Sequence, residues 1–280
     1  MIKPVVSLIM AVYNTPKEYL KEAIESILNQ TFKNFELIIV NDGSKNSDVE
    51  KTVKSYTDKR IKYFKIMNSG AAAARNFGLK KAVGKYIAIM DSDDISLPNR
   101  FEKEVNFLEK HPEISIVGSN MELFYDNGKT EISNVRLNPK ILDFIKTNCV
   151  CHSTVMWRKS DFDKYNLKYD NEYQLAEDYD LWVRAVRHLN IANISDVLCR
   201  YRVLGNSLSH SKWEKLNDNV NKSRDAVLDY LTSDDLLKEK LKGQEPKPGF
   251  LLPKWIGRIC CLFIPKRKNR HNFRDKYVKD

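Results

Sequence analysis

The 280-residue sequence predicts an α/β protein built on a mainly parallel sheet. Three observations carry this expectation. Strand-length, mostly apolar runs recur through the first third, at Val5–Val12, Phe35–Val40 and Tyr86–Met90, and the apolar run of Val5–Val12 is the kind buried on both faces. Helical periodicity separates them, and strand–helix alternation implies right-handed crossovers between parallel strands. Each apolar run also ends in polar residues: Tyr13-Asn14, Asp42-Gly43-Ser44 and Asp91-Ser92-Asp93-Asp94. In open parallel sheets ligands bind beyond the carboxyl ends of the strands, so a site is expected where these three tips meet.

The elements follow in order. After the first strand, Thr15-Pro16-Lys17-Glu18 reads as a helix start, with Thr15 as cap, Pro16 in the first turn and Glu18 completing a capping box. Leu20, Ile24, Ile27 and Leu28 mark one helical face. The second strand runs into a turn at Asn41–Ser44, then a helix over Asp48–Tyr56 and a half-buried strand at Ile61–Lys65. Ala71–Val83 is a helix stopped by Gly84, before the strand Tyr86–Met90. A helix over Arg100–Lys110 turns Phe101, Val105 and Leu108 inward, and a strand follows at Ile114–Gly118. Between 120 and 175 the pattern gives short strands, a hairpin turn at Asp126-Asn127-Gly128 and a helix near Pro139–Thr147. Helices are expected over Ala176–Leu189 and Lys215–Leu231, and residues 243–249 have linker composition. The expected organisation is a nucleotide-binding half over 1–110, an acceptor-binding half over 111–242, and a linker with a basic amphipathic tail over 243–280.

Composition narrows the class. Apolar residues make up 42% and charged residues 30%, as in a globular protein. The net charge is +10, but residues 246–280 hold ten Lys/Arg against two Asp, so the basicity belongs to the tail. Nucleic acid is not an expected partner: no base-reading motif is present. The five cysteines (149, 151, 199, 260 and 261) form no disulfide framework and no CxxC pair, which fits a reduced compartment. The N-terminus lacks the pattern of a signal peptide, and no apolar run approaches the ~20 residues of a spanning helix.

Asp91, Asp93 and Asp94 raise a specific question, because like charges this close repel and are costly to bury unpaired. One is expected to cap the following helix. Hard divalent cations take oxygen ligands, and Mg²⁺ often takes one or two carboxylates plus substrate phosphates. The segment Asn68-Ser69-Gly70-Ala71-Ala72-Ala73-Ala74-Arg75 places small residues at a helix start, where anions are favoured, with Arg75 one turn in.

Five segments in this order, VSLIMAVYN, VNDGS, NSGAAAARN, AVGKYIAIMDSDD and AEDYDLWVR, resemble the successive motifs of family 2 glycosyltransferases, which have the GT-A fold. The resemblance covers roughly residues 5–210. It implies transfer of a hexosyl or N-acetylhexosaminyl group from a nucleotide-sugar, with inversion at the anomeric carbon and a divalent metal, Mn²⁺ or Mg²⁺. Ala11 and Tyr13 would line the nucleoside pocket, Asp42 would accept from uracil N3–H, and Asn68 and Arg75 would hold the base and diphosphate. Asp91 would bind ribose or donor sugar beside Ser92, and Asp93 would ligate the metal. Asp178 would be the catalytic base; Glu177 and Asp180 beside it suit a helix N-terminus. In the stretch from Tyr201 to His210, Arg202 would contact phosphate and His210 the metal. His152 would line the acceptor side.

The tail, FLLPKWIGRICCLFIPKRKNRHNFRDKY, mixes bulky apolar residues with Lys and Arg, the composition of a segment lying in an anionic membrane interface. The implied enzyme uses a UDP-sugar donor and a glycan or lipid-linked acceptor for surface polysaccharide, as a peripheral protein on the cytoplasmic face of the cell membrane. Two alternatives share its N-terminal motifs: transfer to polyprenyl phosphate, and nucleotide binding at a membrane without catalysis.

Overall fold

The computed structural model describes residues 3–204 and 213–232. The chain divides into two units, residues 1–224 and 225–280, and the first holds the sheet. Strands β1 (Val6–Val12), β2 (Phe35–Asp42), β3 (Ile61–Ile66) and β4 (Tyr86–Ile89) are mutually parallel in the order β3-β2-β1-β4. Helices α1 (Lys17–Leu28), α2 (Asp48–Lys54) and α3 (Ala71–Lys81) make the crossovers. All eight residues of β2 are buried, the polar Glu36, Asn41 and Asp42 among them. Leu20, Ala23, Ile24 and Ile27 of α1 recur every three or four positions and are buried. Gly78 of α3 sits so close to β1 that a Cβ there would lie 2.5 Å from Ile9 Cγ2.

The sheet continues without a break into the second half. After β5 (Ile95–Ser96) and α4 (Arg100–Lys110) come β6 (Ile116–Tyr125), β7 (Thr130–Ile132) and α5 (Ile141–Lys146). A short 3₁₀ turn at His152–Thr154 leads to β8 (Met156–Arg158), α6 (Lys159–Lys164), α7 (Glu177–Ala185), β9 (Ile191–Val203) and α8 (Trp213–Thr232). The order runs on as β4-β8-β6-β9-β5, with β7 on β6. Strand β8 is antiparallel to both β4 and β6, and β9 is parallel to β6. The expected hairpin turn is present, with Gly128 at φ +81 joining β6 to β7.

Two local expectations are corrected. The capping box at Thr15 does not form: Pro16 is the N-cap of α1, without a side-chain cap. Thr15 Oγ1 instead shares a 2.6 Å hydrogen bond with Ser92 Oγ. Nor does an aspartate of the 91–94 cluster cap α4, because Phe101 N–H donates to Gln30 Oε1 at 3.1 Å. A carboxamide reaching in from the end of α1 has taken the role that sequence proximity suggested for the acids. The tail over 243–280 lies outside the described residues.

Candidate active site

The loops after β1, β2 and β3 are laced together. Asn14, at φ +54, donates its N–H to Ser44 Oγ at 3.0 Å and accepts Lys45 N–H on Oδ1 at 2.8 Å. Ser44 N–H donates to Asn41 Oδ1 at 2.8 Å. Asp42 is buried, and its carboxylate takes Ser69 N–H at 2.8 Å and Gly70 N–H at 2.9 Å. Asn68 Nδ2 donates to the Asp42 carbonyl at 2.9 Å. The structure therefore brings Asp42 and Asn68 together, and their visible task is to fix the loop before α3. A carboxylate offers about four lone-pair sites, so Asp42 keeps capacity for a further donor. Tyr13 is 44% exposed at the end of β1, and half-buried Ala11 sits opposite Val40 of β2.

Beyond β4 the acidic cluster finds its counter-charge in Arg75. One guanidinium nitrogen, Nη2, donates to Asp91 Oδ1 at 2.8 Å, and Nη1 donates to Glu177 Oε1 at 2.7 Å. The sequence placed Arg75 at the donor base and diphosphate; in the structure it lines the cavity with both of these nitrogens committed to carboxylates. Burial alone would lower its pKa, but Asp91 and Glu177 more than offset this and keep it charged. Burial works against ionised Asp91 as well, and Arg75 outweighs it, holding the carboxyl below its ordinary value.

Asp93 and Asp94 have no such partner. Burial, then the charge of Asp91, pushes Asp93 up to about 6. Asp94 is fully buried; burial and its two acidic neighbours drive its pKa well up. Its Oδ1 accepts Arg202 N–H at 3.0 Å and its Oδ2 has no partner. Arg202, expected on the diphosphate, is placed otherwise. Its Nε donates to the Asp93 carbonyl at 3.0 Å and its Nη2 to Glu22 of α1, with the guanidinium 4.0 Å from the Tyr19 ring centroid. This side chain braces the acidic loop from behind. His210 lies outside the described residues.

A cavity of about 370 Å³ opens beside Asp91, and its wall includes Arg75, Ser153, Glu177, Asp178 and Tyr201. Asp178 lies in the first turn of α7, and Leu175 ahead of it holds a left-handed φ of +72. Such backbone strain in a bulky residue persists only where the surroundings enforce it, and it clusters at functional sites. Burial, then Glu177, raises Asp178 to about 6, against the opposing pull of Tyr179 N–H and Arg75. Asn148 Nδ2 donates to Asp178 Oδ2 at 3.2 Å. His152 borders the cavity; burial and Arg75 push it down to about 3, so its ring is neutral. Asp180 turns away to Arg184 at 2.7 Å, one helical turn on, and Trp182 is core. Ser153 belongs to the Cys151–Thr154 stretch that the resemblance sets on the acceptor side, whereas sequence reading missed Asn148, Leu175 and Tyr169, whose ring faces Arg75. No local motif marks these three; they meet the site through packing.

The family model for glycosyl transferase family 2 matches residues 7–165. The chain belongs to glycosyltransferase family 2. It is 39% identical over 226 residues to an uncharacterized glycosyltransferase of Methanocaldococcus jannaschii, covering 77% of each chain. It is 35% identical over 219 residues to the O-antigen biosynthesis glycosyltransferase WbnJ of Escherichia coli, covering 75% of this chain and 84% of that one. Among solved structures, S. aureus TarS 1–349 in complex with UDP-GlcNAc superposes with a TM-score of 0.69 at 19% identity, covering 97% of this chain and 73% of that one. The fold is the expected GT-A fold, and the polar tips of β1, β2 and β4 lie within the matched family domain.

Proposed function

We propose that the enzyme moves a sugar from a UDP-sugar to a hydroxyl of a glycan or lipid-linked oligosaccharide in surface polysaccharide assembly, with inversion and with a divalent metal. The observation that carries this reading is the pairing of two unlike carboxyl sites. Among the described residues Asp93 and Asp94 form no side-chain ion pair, and Arg202 offsets burial and Asp91 at Asp93 only in part, while Asp178 lines the cavity beside Asp91 with a raised pKa. Among the described residues no three His, Cys, Asp or Glu side chains gather to hold a metal alone. One or two carboxylates with diphosphate oxygens suffice for Mg²⁺ or Mn²⁺, and the Asp93 carboxylate, which Arg202 compensates only in part, fits such an ion. Bound there, it would stabilise negative charge on the departing diphosphate.

The residues divide the remaining work. Ala11 and the Tyr13 ring flank the nucleoside, and Asp42 with Asn68 reads the uracil edge. Asp91 and Ser92 hold the ribose or donor sugar. Asp178 takes the proton of the acceptor hydroxyl as its oxygen attacks the anomeric carbon. A carboxyl near 6 is mostly ionised at pH 7 and more basic than an ordinary aspartate. WbnJ, by its name an O-antigen enzyme, supports a surface-glycan acceptor, and the UDP-GlcNAc complex of TarS supports uridine. The composition of the 250–277 tail supports attachment to the inner face of the cell membrane.

Calorimetric titration with UDP, with and without Mn²⁺, tests the reading. Metal-dependent binding that is lost in Asp93→Ala is expected; metal-independent binding in both proteins would refute the metal site. Asp178→Asn should keep the UDP affinity and lose transfer by 10³-fold or more, on the order of general-base removal.

A further inference from the structure

The loop between α5 and the 3₁₀ turn has no role in the assignments above, yet it touches the base. Asn148 Nδ2 donates to Asp178 Oδ2 at 3.2 Å. At its other end Asn148 Oδ1 accepts the N–H of Val150 at 3.2 Å. A carboxamide has one acceptor end and one donor end. Flipping it would set NH₂ against an N–H and oxygen against a carboxylate, so the local turn fixes which end faces Asp178. The turn is anchored in its turn: Val150 is buried, and Asn193 Nδ2 donates to the Cys149 carbonyl at 2.9 Å. From the opposite side, the Glu177–Arg75 pair at 2.7 Å pins the first turn of α7.

We propose that Asn148 is a positioning residue for transfer: it holds Oδ2 of Asp178, presents Oδ1 to the acceptor hydroxyl, and keeps the carboxylate ionised. The inference rests on Asp178 being the base. In the step it serves, the hydroxyl proton passes to Asp178 Oδ1 while the acceptor oxygen bonds to the anomeric carbon. The bond from that carbon to the diphosphate breaks, and its electron pair leaves with UDP. The charged and titratable groups around Asp178 are Glu177, Arg75, Asp91, His152, Tyr169, Cys151 and Tyr201. Asn148 is the side chain that donates a hydrogen bond to the carboxylate itself.

Asn148→Asp separates this role from a merely structural one. Aspartate keeps the oxygen that accepts Val150 N–H, so the turn survives, but it replaces the donor by a like charge. The Asp178 carboxyl, followed by ¹³C NMR, should titrate at a higher pH in the variant than in the wild type. This readout needs no donor substrate. UDP release from UDP-N-acetylglucosamine at pH 7 should fall about tenfold or more, as for loss of a hydrogen bond to a charged group. Its acidic limb should move up in pH, with UDP affinity within about twofold because no donor contact is changed. An unchanged Asp178 midpoint, or a wild-type rate and limb in the folded variant, would overturn the positioning role. Asp178→Asn is the control: if that variant releases UDP at the wild-type rate, the base assignment fails and the positioning role falls with it. If it is inactive while Asn148→Asp behaves as wild type, only the positioning role fails.

Discussion

Arg75 shows what a single residue contributes to this site. Its two nitrogens bridge the end of β4 and the start of α7 through Asp91 and Glu177, which lie 16 and 102 positions away. Removing one partner of a buried ionic group strands the others, at a cost of about 3–5 kcal/mol. Because Asp91 is about a third exposed, its share is softened by solvent. Arg75→Met should therefore destabilise the fold by about 3 kcal/mol, read from urea denaturation. A loss below about 0.5 kcal/mol, the scale of a surface pair, would show that the bridge carries little. Tyr13 makes the contrasting case. Its ring is exposed, so Tyr13→Ala should leave stability nearly unchanged. It should weaken UDP about tenfold or more, the scale of one base–aromatic stack; unchanged affinity would remove Tyr13 from the nucleoside pocket. The position of Arg75 one turn into α3 was legible in the sequence. Its partner Glu177 was not, because no spacing rule links residues brought together only by the sheet.

At the scale of elements, legibility followed burial. Strands β1, β2 and β4 are covered on both faces, so their side chains are predominantly apolar and the runs announce themselves; of the buried exceptions, Ser7 and Glu36 bond to each other. Strand β9 was missed. Its thirteen residues, IANISDVLCRYRV, are buried only in patches, because one edge pairs with β6 along the whole strand across register shifts while the other takes the two-residue β5 only at Cys199 and Arg200. A strand with changing neighbours has no single period to read. The loops at the strand tips were legible as polar clusters, but not their lacing. Gly43 is the tightest point: φ is +68, and a Cβ there would lie 2.6 Å from Asn68 N. Gly43→Ala must open that contact and strain the backbone, at about 1–3 kcal/mol. Because Asp42 and Asn68 flank the contact, UDP affinity should fall along with the melting temperature. Loss of stability with full UDP affinity would separate the lacing from the nucleoside site.

At the scale of the molecule, the site is carried by a sheet whose two halves are joined beneath the acidic loop by a second buried pair. Arg100 and Glu104 of α4 are fully buried, 3.1 Å apart. Arg100 Nη2 also donates to the Ile89 carbonyl of β4 at 3.0 Å and the Val155 carbonyl before β8 at 3.2 Å. Burial raises Glu104 to about 7, although Arg100 pulls the other way. The sign for stability follows. An acid whose folded pKa lies above its unfolded value binds more protons in the native state between those two values, so stability falls as pH rises through that window. For Glu104 the window runs from the ordinary glutamate value of 4.5 to about 7. Glutamine has the same shape and stays neutral, so Glu104→Gln should match the wild type near pH 5. By pH 7.5 it should be the more stable protein, by roughly 2 kcal/mol at about 1.4 kcal/mol per unit of pKa difference. Urea denaturation across pH 5–8, in metal-free buffer, isolates the effect, because Asp93, Asp94 and Asp178 titrate identically in both proteins and cancel in the difference. A difference that stays constant with pH would mean that Glu104 is ionised throughout and that Arg100 fully compensates it. A rising difference would mean that the joint between β4 and the residue before β8 loosens over the pH range in which Asp178 ionises.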